Sequence, residues 1–319
     1  MATIDLTPSR LAALRTGSVV VREGPTVFEV AGPGALACLQ GLLTNDLAGP
    51  GERSLVYGAL LTPKGMIIVD AWVLRLADRF VMVADRAGRA PATGLFRRSL
   101  PPRLALVTDR TDAWEVLWVI GPRTETVAKA AGVLGHLAPG CVMEDDVLVA
   151  RPKQGVAPFQ LLILGEPSEL AGVEERLLKA GATAGARDDL DASRILSGWP
   201  TLGREIDERT LPQEARFEEL DGVSYTKGCY TGQETVARVH FRGHPNRLLR
   251  GLSMAGPGPV PDLPIQAGGR DVGVIRSAIS LPDRVLALSA IRREVAPGDR
   301  VTVGDRTATV VPLPFDGAA

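Results

Sequence analysis

Lys227-Gly228-Cys229-Tyr230-Thr231-Gly232-Gln233-Glu234 is the stretch on which the reading of this chain turns. Thr231 and Glu234 stand at capping-box spacing, which predicts a helix with its N-cap at Thr231 and Thr235–His240 continuing inward. Cys229 then lies two residues ahead of the cap. The positive end of the helix dipole and the Lys227 ammonium both favour a thiolate there. Gly228 and Gly232 permit sharp bends and close approach of a ligand. A lone cysteine also serves commonly as a small buried hydrophobe, so the local pattern leaves a reactive and a structural thiol both open. The chain holds five lysines against 31 arginines, and two of the five, Lys64 and Lys227, precede a glycine.

The longer run Lys227–Arg242, KGCYTGQETVARVHFR, is similar to the signature of the YgfZ family of folate-binding proteins. That family is related to the T-protein, the aminomethyltransferase of the glycine cleavage system. Gln40-Gly41-Leu42-Leu43-Thr44-Asn45-Asp46 resembles the family's N-terminal motif, and Asp207–Glu214 resembles the stretch ahead of its cysteine segment. The resemblance implies an α+β, T-protein-like folate-binding body of two related α+β units around a central cavity, followed by a C-terminal β-barrel.

Bulk properties agree with an ordinary globular chain of 319 residues, 45% apolar and 23% charged. A net charge of −1 gives no general attraction to nucleic acid or acidic membranes, although Arg238, Arg242, Arg247 and Arg250 mark a local basic patch. Met1–Ser18 has no apolar signal core and no run of eighteen apolar residues occurs, so a cytoplasmic location with no membrane partner is expected. Cys38, Cys141 and Cys229 form no CxxC pair, and His240 and His244 are separated by Gly243, so neither disulfides nor a metal site is expected.

Along the chain, Thr26–Ala31 reads as a strand, Gly32-Pro33-Gly34 as a turn, and the next residues as a helix through Leu43. Ala113–Ile120, Gly121-Pro122 and a helix to Ala131 repeat that order, which suggests two related units. Neither turn carries GxGxxG, so a dinucleotide fold is rejected. Ser54–Leu61, Met66–Leu76 and Phe80–Ala84 read as a strand meander, Phe159–Leu164 as a strand, and Ser168–Ala180 and Asp188–Ser197 as helices. After Arg242 short β-like runs take over: Leu248–Met254, Val272–Ile279, Val285–Ala290, Arg300–Val303 and Thr307–Val311. Ala255–Pro259 is a turn-rich break among them. The expected division is a body over 1–245 and a β-barrel over 246–319.

Two functions of different kind follow from the resemblance. One is tetrahydrofolate-dependent aminomethyl transfer. Two departures weigh against it: the T-protein's Asp-Asp pair is Val69-Asp70 here, and its pterin-holding glutamate is Leu196, after Arg194-Ile195. The other, which we favour, is a tetrahydrofolate-binding accessory protein that supports iron–sulfur cluster assembly or repair, and through it some tRNA-modifying enzymes. Its partners would be folate and iron–sulfur enzymes or cluster-assembly proteins, without direct nucleic-acid contact. Cys229 and Lys227 are the candidate catalytic pair. Asn45, Asp70, Arg194, Glu214, Lys227 and Tyr230 are the candidate cofactor-binding set, and no metal ligand is named. Trp72 and Trp199 are candidates for stacking on a pterin or for core packing.

Overall fold

A computed structural model describes residues 3–153, 157–258, 260 and 262–315. Pro259 in the turn-rich break, and both extremes of the expected two-part division, lie outside the described residues. The chain begins β1 (Ile4–Asp5), α1 (Pro8–Thr16), β2 (Val19–Glu23), β3 (Thr26–Ala31), α2 (Ala35–Gln40), β4 (Ser54–Leu61), β5 (Ile67–Arg75), β6 (Arg79–Ala84), α3 (Arg89–Ser99) and β7 (Leu106–Asp109). It continues with β8 (Glu115–Ile120), α4 (Thr124–Ala130), β9 (Val142–Glu144), β10 (Leu148–Ala150), β11 (Leu161–Gly165), α5 (Pro167–Lys179), β12 (Thr183–Ala184), α6 (Arg187–Leu196) and α7 (Gln233–Arg242). The last part is β13 (Arg247–Ala255), β14 (Pro264–Ala267), β15 (Arg270–Val274), β16 (Ser277–Ser280), β17 (Arg284–Arg292), β18 (Arg300–Val303) and β19 (Arg306–Val311).

These strands build three sheets, in the orders β4-β5-β6-β3-β7, β12-β2-β8-β11-β10-β9 and β1-β16-β17-β13-β19-β18-β14-β15. The two strand–Gly-Pro–helix units place β3 and β8 at matching positions, each flanked by antiparallel neighbours in its own sheet. Gly32 and Gly121 turn the chain with φ of 126° and 104°. A Cβ on either would stand 2.6 Å from a carbonyl oxygen, that of Leu104 or of Gly17, so both turns require glycine.

Each sheet of the body has two buried faces. One face of the first packs on α2 and α3 through Val69, Ala71, Val73, Leu39 and Phe96. One face of the second packs on α4 and α5 through Leu117, Val119, Val127 and Leu170. The opposite faces meet in a shared core, where Leu74, Val83, Val116 and Leu162 join Ile195 of α6 and Leu249, Leu286 and Leu288 of the third sheet. The apolar interior of the third sheet is separate, with Leu252, Ile265, Val285 and Val310 among its members. That sheet curls on itself: the Ser289 hydroxyl donates to the Val274 carbonyl at 2.7 Å, which brings the terminal strand β15 against β17. Its other edge, β1, comes from the N-terminal end of the chain and pairs in parallel with β16.

The expected single strand Val272–Ile279 is two strands. The Ile275 N–H bonds to Leu263 and the Arg276 N–H to Leu288, so the chain changes partner there. The expected helix through Leu43 stops at Gln40. Among the described residues no helix is long and apolar enough to cross a membrane.

Candidate functional site

Aromatic residues are only 4% of the chain, yet Tyr57, Trp72, Phe159 and Trp199 cluster where β4 and β5 face the segment after α6. Alternation along β5 explains the placement. Val69, Ala71 and Val73 enter the core under α2 and α3, and Asp70 and Trp72 point the other way. Tyr57 sits opposite Trp72 on β4, on the face it shares with Asp70. The Trp72 and Trp199 rings stack at 5.4 Å with 18° between planes. This pair borders two cavities.

The first cavity, about 200 Å³, is walled by Trp72, Trp118, Phe159 and Trp199, with Asp70, Asp191 and Arg194 as polar members. The Tyr57 hydroxyl donates to Asp70 Oδ2 at 3.0 Å, and Asp70 Oδ1 is buried without a partner. Burial pushes the Asp70 carboxyl up to about 6, against the lowering effect of the Tyr57 hydrogen bond. Positions 187, 190, 191 and 194 of α6 also face this cavity, the spacing of one helical face. Burial alone raises Asp191, but Arg194, Arg187 and Arg204 outweigh it and hold it ionised. Arg187 also reaches Asp85 at 3.0 Å and Glu23 at 3.4 Å.

The second cavity, about 500 Å³, shares Trp72 and Trp199 and is lined further by Tyr57, Asn45, Lys153 and Asp221. The second cavity is within the usual scale of a small-molecule site, and the first is smaller, room for a part of a ligand.

Of the residues singled out in the sequence, Asp70 and Arg194 line the first cavity and Asn45 the second. Arg194 is largely committed: it donates to Asp191, Glu205, the Trp199 carbonyl and the Ser277 hydroxyl, at 2.7–3.1 Å. Asn45 is also engaged, its amide on the carbonyls of Tyr57 and Asp221 and its oxygen on the Asp46 N–H. Glu214, Lys227, Tyr230 and Cys229 are not on either wall. Glu214 accepts from the Leu211 N–H, and burial raises its carboxyl. Tyr230 is buried beside Tyr57 and Phe217 in a supporting core, its ring 5.3 Å from the Lys227 ammonium. Its hydroxyl has no partner, and burial pushes it up to about 12. Tyr57 was missed; its signal was its position opposite Trp72 in a chain with three tyrosines.

The cysteine motif has a different geometry from the one its spacing predicts. The N-cap of α7 is Gly232, with φ 82° and no side-chain cap, and not Thr231. Thr231 instead gives its N–H to the Gly41 carbonyl at 2.9 Å. Gly232 is needed because a Cβ there would stand 2.6 Å from the Thr62 carbonyl and 3.0 Å from Gly65 Cα. The expected activation of Cys229 by Lys227 is not what the geometry offers: the Lys227 Nζ donates to the carbonyls of Gln40, Leu43 and Asn45, each at 2.8 Å. Burial draws that ammonium down to about 8, with Asp46 opposing. These bonds tie off the end of α2, a placement in which a cation is favourable. Gln40–Asp46, Lys64-Gly65 and Lys227–Thr235 are therefore one interlocked unit, with the Cys229 side exposed.

No group of three or more His, Cys, Asp or Glu among the described residues is placed to hold a metal. The positions read as departures from the T-protein also lie off the cavity. Val69 is in the core under α2 and α3, and Leu196 packs in the shared core with Leu249 and Phe315.

Comparison with known proteins places residues 24–133 under the family model described as the GCVT N-terminal domain. An aminomethyltransferase of Rubrobacter xylanophilus is 28% identical, covering 97% of this chain and 87% of its own. A tRNA-modifying protein YgfZ of Cronobacter sakazakii is 27% identical, covering 93% of both. Among solved structures, the glycine cleavage system aminomethyltransferase T of Bartonella henselae superposes with a TM-score of 0.84 at 21% identity, over 97% of this chain and 89% of that one. The fold is thus the α+β fold of that protein.

Proposed function

We propose that this chain, similar to tRNA-modifying YgfZ proteins and to aminomethyltransferases, binds a reduced folate in the aromatic cavity and acts as an accessory protein of the YgfZ kind. Its clients in this reading are iron–sulfur enzymes, tRNA-modifying ones among them. Residues 1–245 act as the folate-binding body and 246–319 as its flanking β unit.

One observation carries the folate assignment. Asp70 holds a buried, unpartnered carboxylate oxygen at the wall of a slot made of flat aromatic rings. A buried polar atom without a partner is a standing cost that a ligand donor removes. A pterin ring is flat and has N–H donors on its edge, so the residues present fit it. Asp70 would accept from that edge, Trp72 and Trp199 would border the ring, and Tyr57 would fix the carboxylate. The bound folate supplies a site for one-carbon chemistry, and the surrounding tryptophans keep water from it. Arg194 positions the wall and ties it to β16 through Ser277. Cys229 is the exposed thiol offered to a client, and Lys227 is its structural anchor rather than its activator.

Titration of tryptophan fluorescence with 5-formyltetrahydrofolate tests the binding. Saturable quenching is expected, weakened about 10–100-fold by Asp70→Ala, the range for a hydrogen bond to a charged group. No quenching at millimolar ligand, or full affinity in Asp70→Ala, would reject the site. For the accessory role, Cys229→Ser should fail to restore iron–sulfur enzyme activity in a deletion strain.

Aminomethyl transfer is the second reading. It is favoured by the burial of Val69 and Leu196 away from the cavity, since their identity then leaves Asp70 unaffected. Folate-dependent turnover of an aminomethylated carrier protein would establish it in place of the accessory role.

A further inference from the structure

Strand β7 ends the five-stranded sheet, and among the described residues no strand pairs with its outer side. The phase of its pairing with β3 is fixed. The Arg110 N–H meets the Val27 carbonyl at 2.9 Å and the Gly34 N–H meets the Leu104 carbonyl at 2.8 Å. With Leu106 opposite Ala31 and Thr108 opposite Glu29, the even-numbered residues bond inward. The N–H and C=O groups of Val107 and Asp109 therefore point outward.

Beside this edge a groove of about 370 Å³ runs against α3, walled by Phe96, Leu100, Pro102 and Leu106. Leu104 is 47% exposed and Leu106 59%, two of the four large hydrophobic side chains most open to water among the described residues. Edge strands are normally blunted by charge, by proline or by a covering element, and this one presents leucines. Arg97 lines the groove, and Arg98 and Arg103 are its neighbours along the chain; the side chains of all three are exposed and without a hydrogen-bonded or ion-paired partner among the described residues. The nearby acids are taken: Asp109 and Asp112 both bind Arg89, at 2.8 Å.

We propose that the free edge of β7 and the groove along α3 dock an extended, acidic segment of a partner protein by strand addition. Main-chain bonds to Val107 and Asp109 hold the segment, alternate apolar side chains enter the groove, and acidic ones meet the three arginines. The charges decide between occupants. A second copy paired edge to edge would set its own Arg97, Arg98 and Arg103 against the same set, which opposes association. An acidic strand satisfies them.

Hydrogen exchange on the full chain tests this with a synthetic peptide of about ten residues alternating leucine or valine with glutamate, beside a version with lysine for glutamate. The glutamate peptide should slow exchange of the Val107 and Asp109 amides at least about tenfold, with affinity falling as salt rises. Arg97→Glu and Leu106→Asp should each weaken it by about tenfold or more. Both side chains are exposed, so unfolding curves should be unchanged. Equal binding of the lysine peptide, protection elsewhere only, no protection at millimolar peptide, or dimerisation through β7 in sedimentation would each overturn the proposal.

Discussion

Replacing Asp70 with asparagine removes one ionisable group and nearly keeps its shape. The wild-type carboxyl is pushed up to about 6 by burial, from an ordinary 3.8. A raised carboxyl stabilises the fold relative to its own ionised form below pH 3.8, and that stabilisation is lost as pH rises through 6. At about 1.4 kcal/mol per pH unit, the wild type should lose about 3 kcal/mol between pH 4 and pH 8 that Asp70→Asn does not lose. Asparagine can still accept from Tyr57 through its amide oxygen, so the hydrogen bond is retained. Urea unfolding of both proteins across that pH range gives the difference directly. The gap should shift in favour of the variant as the solution becomes more alkaline, rising between 3.8 and about 6 and levelling off above that. Parallel curves, or a gap that grows toward acid, would refute the assignment of a raised, buried carboxyl. The ligand arm has its own sign: if Asp70 accepts from a ring N–H, folate affinity in the wild type should rise as pH passes upward through 6.

Arg194→Met should destabilise the fold by about 3–5 kcal/mol, because it leaves Glu205, whose side chain is wholly buried, without its cation; adding Glu205→Gln should recover part of the loss, and failure to recover any would count against the pairing. Gly232→Ala should lose at least about 2 kcal/mol in urea unfolding, from its positive φ and the clash with Thr62. Cys229 should be the first thiol alkylated by iodoacetamide in peptide mapping, since it is exposed while Cys38 and Cys141 are half-buried; faster labelling of Cys141 would contradict this.

Strands with dense apolar runs were legible: Thr26–Ala31 and Ser54–Leu61 stand where the sequence pattern placed them. Helix α3 was not read, because Pro91 and Gly94 break its local pattern and its support comes from Phe28 and Val69 across the sheet. Strands β9 and β14 are three and four residues long, too short for a period to declare itself. In the site, Asp70 was marked by the family motif, and alternation on β5 gives it the cavity face. Asn45 and Lys227 carry motif signals as strong, yet their polar atoms hold backbone carbonyls from remote segments. A motif in one dimension does not distinguish a side chain that meets a ligand from one that fastens the loop beside it. Capping-box spacing misled for a related reason: Thr231 donates its N–H to the carbonyl of Gly41, 190 positions away, and the helix starts one residue later with Gly232 as its N-cap.

The parallel pairing of β1 with β16 bears on the order in which this chain acquires its structure. Ile4 lies opposite Ile279, and Leu6 bonds to Ser280. A growing chain makes Ile4 and Leu6 long before their partners Ile279 and Ser280. Closing so long a loop adds little to the equilibrium, because the entropy grows only with the logarithm of length. It does delay completion, since distant contacts form slowly. Until β16 has been made, then, Ile4 and Leu6 have no strand to pair with, and this seam between the start of the body and the third sheet closes only after both have emerged.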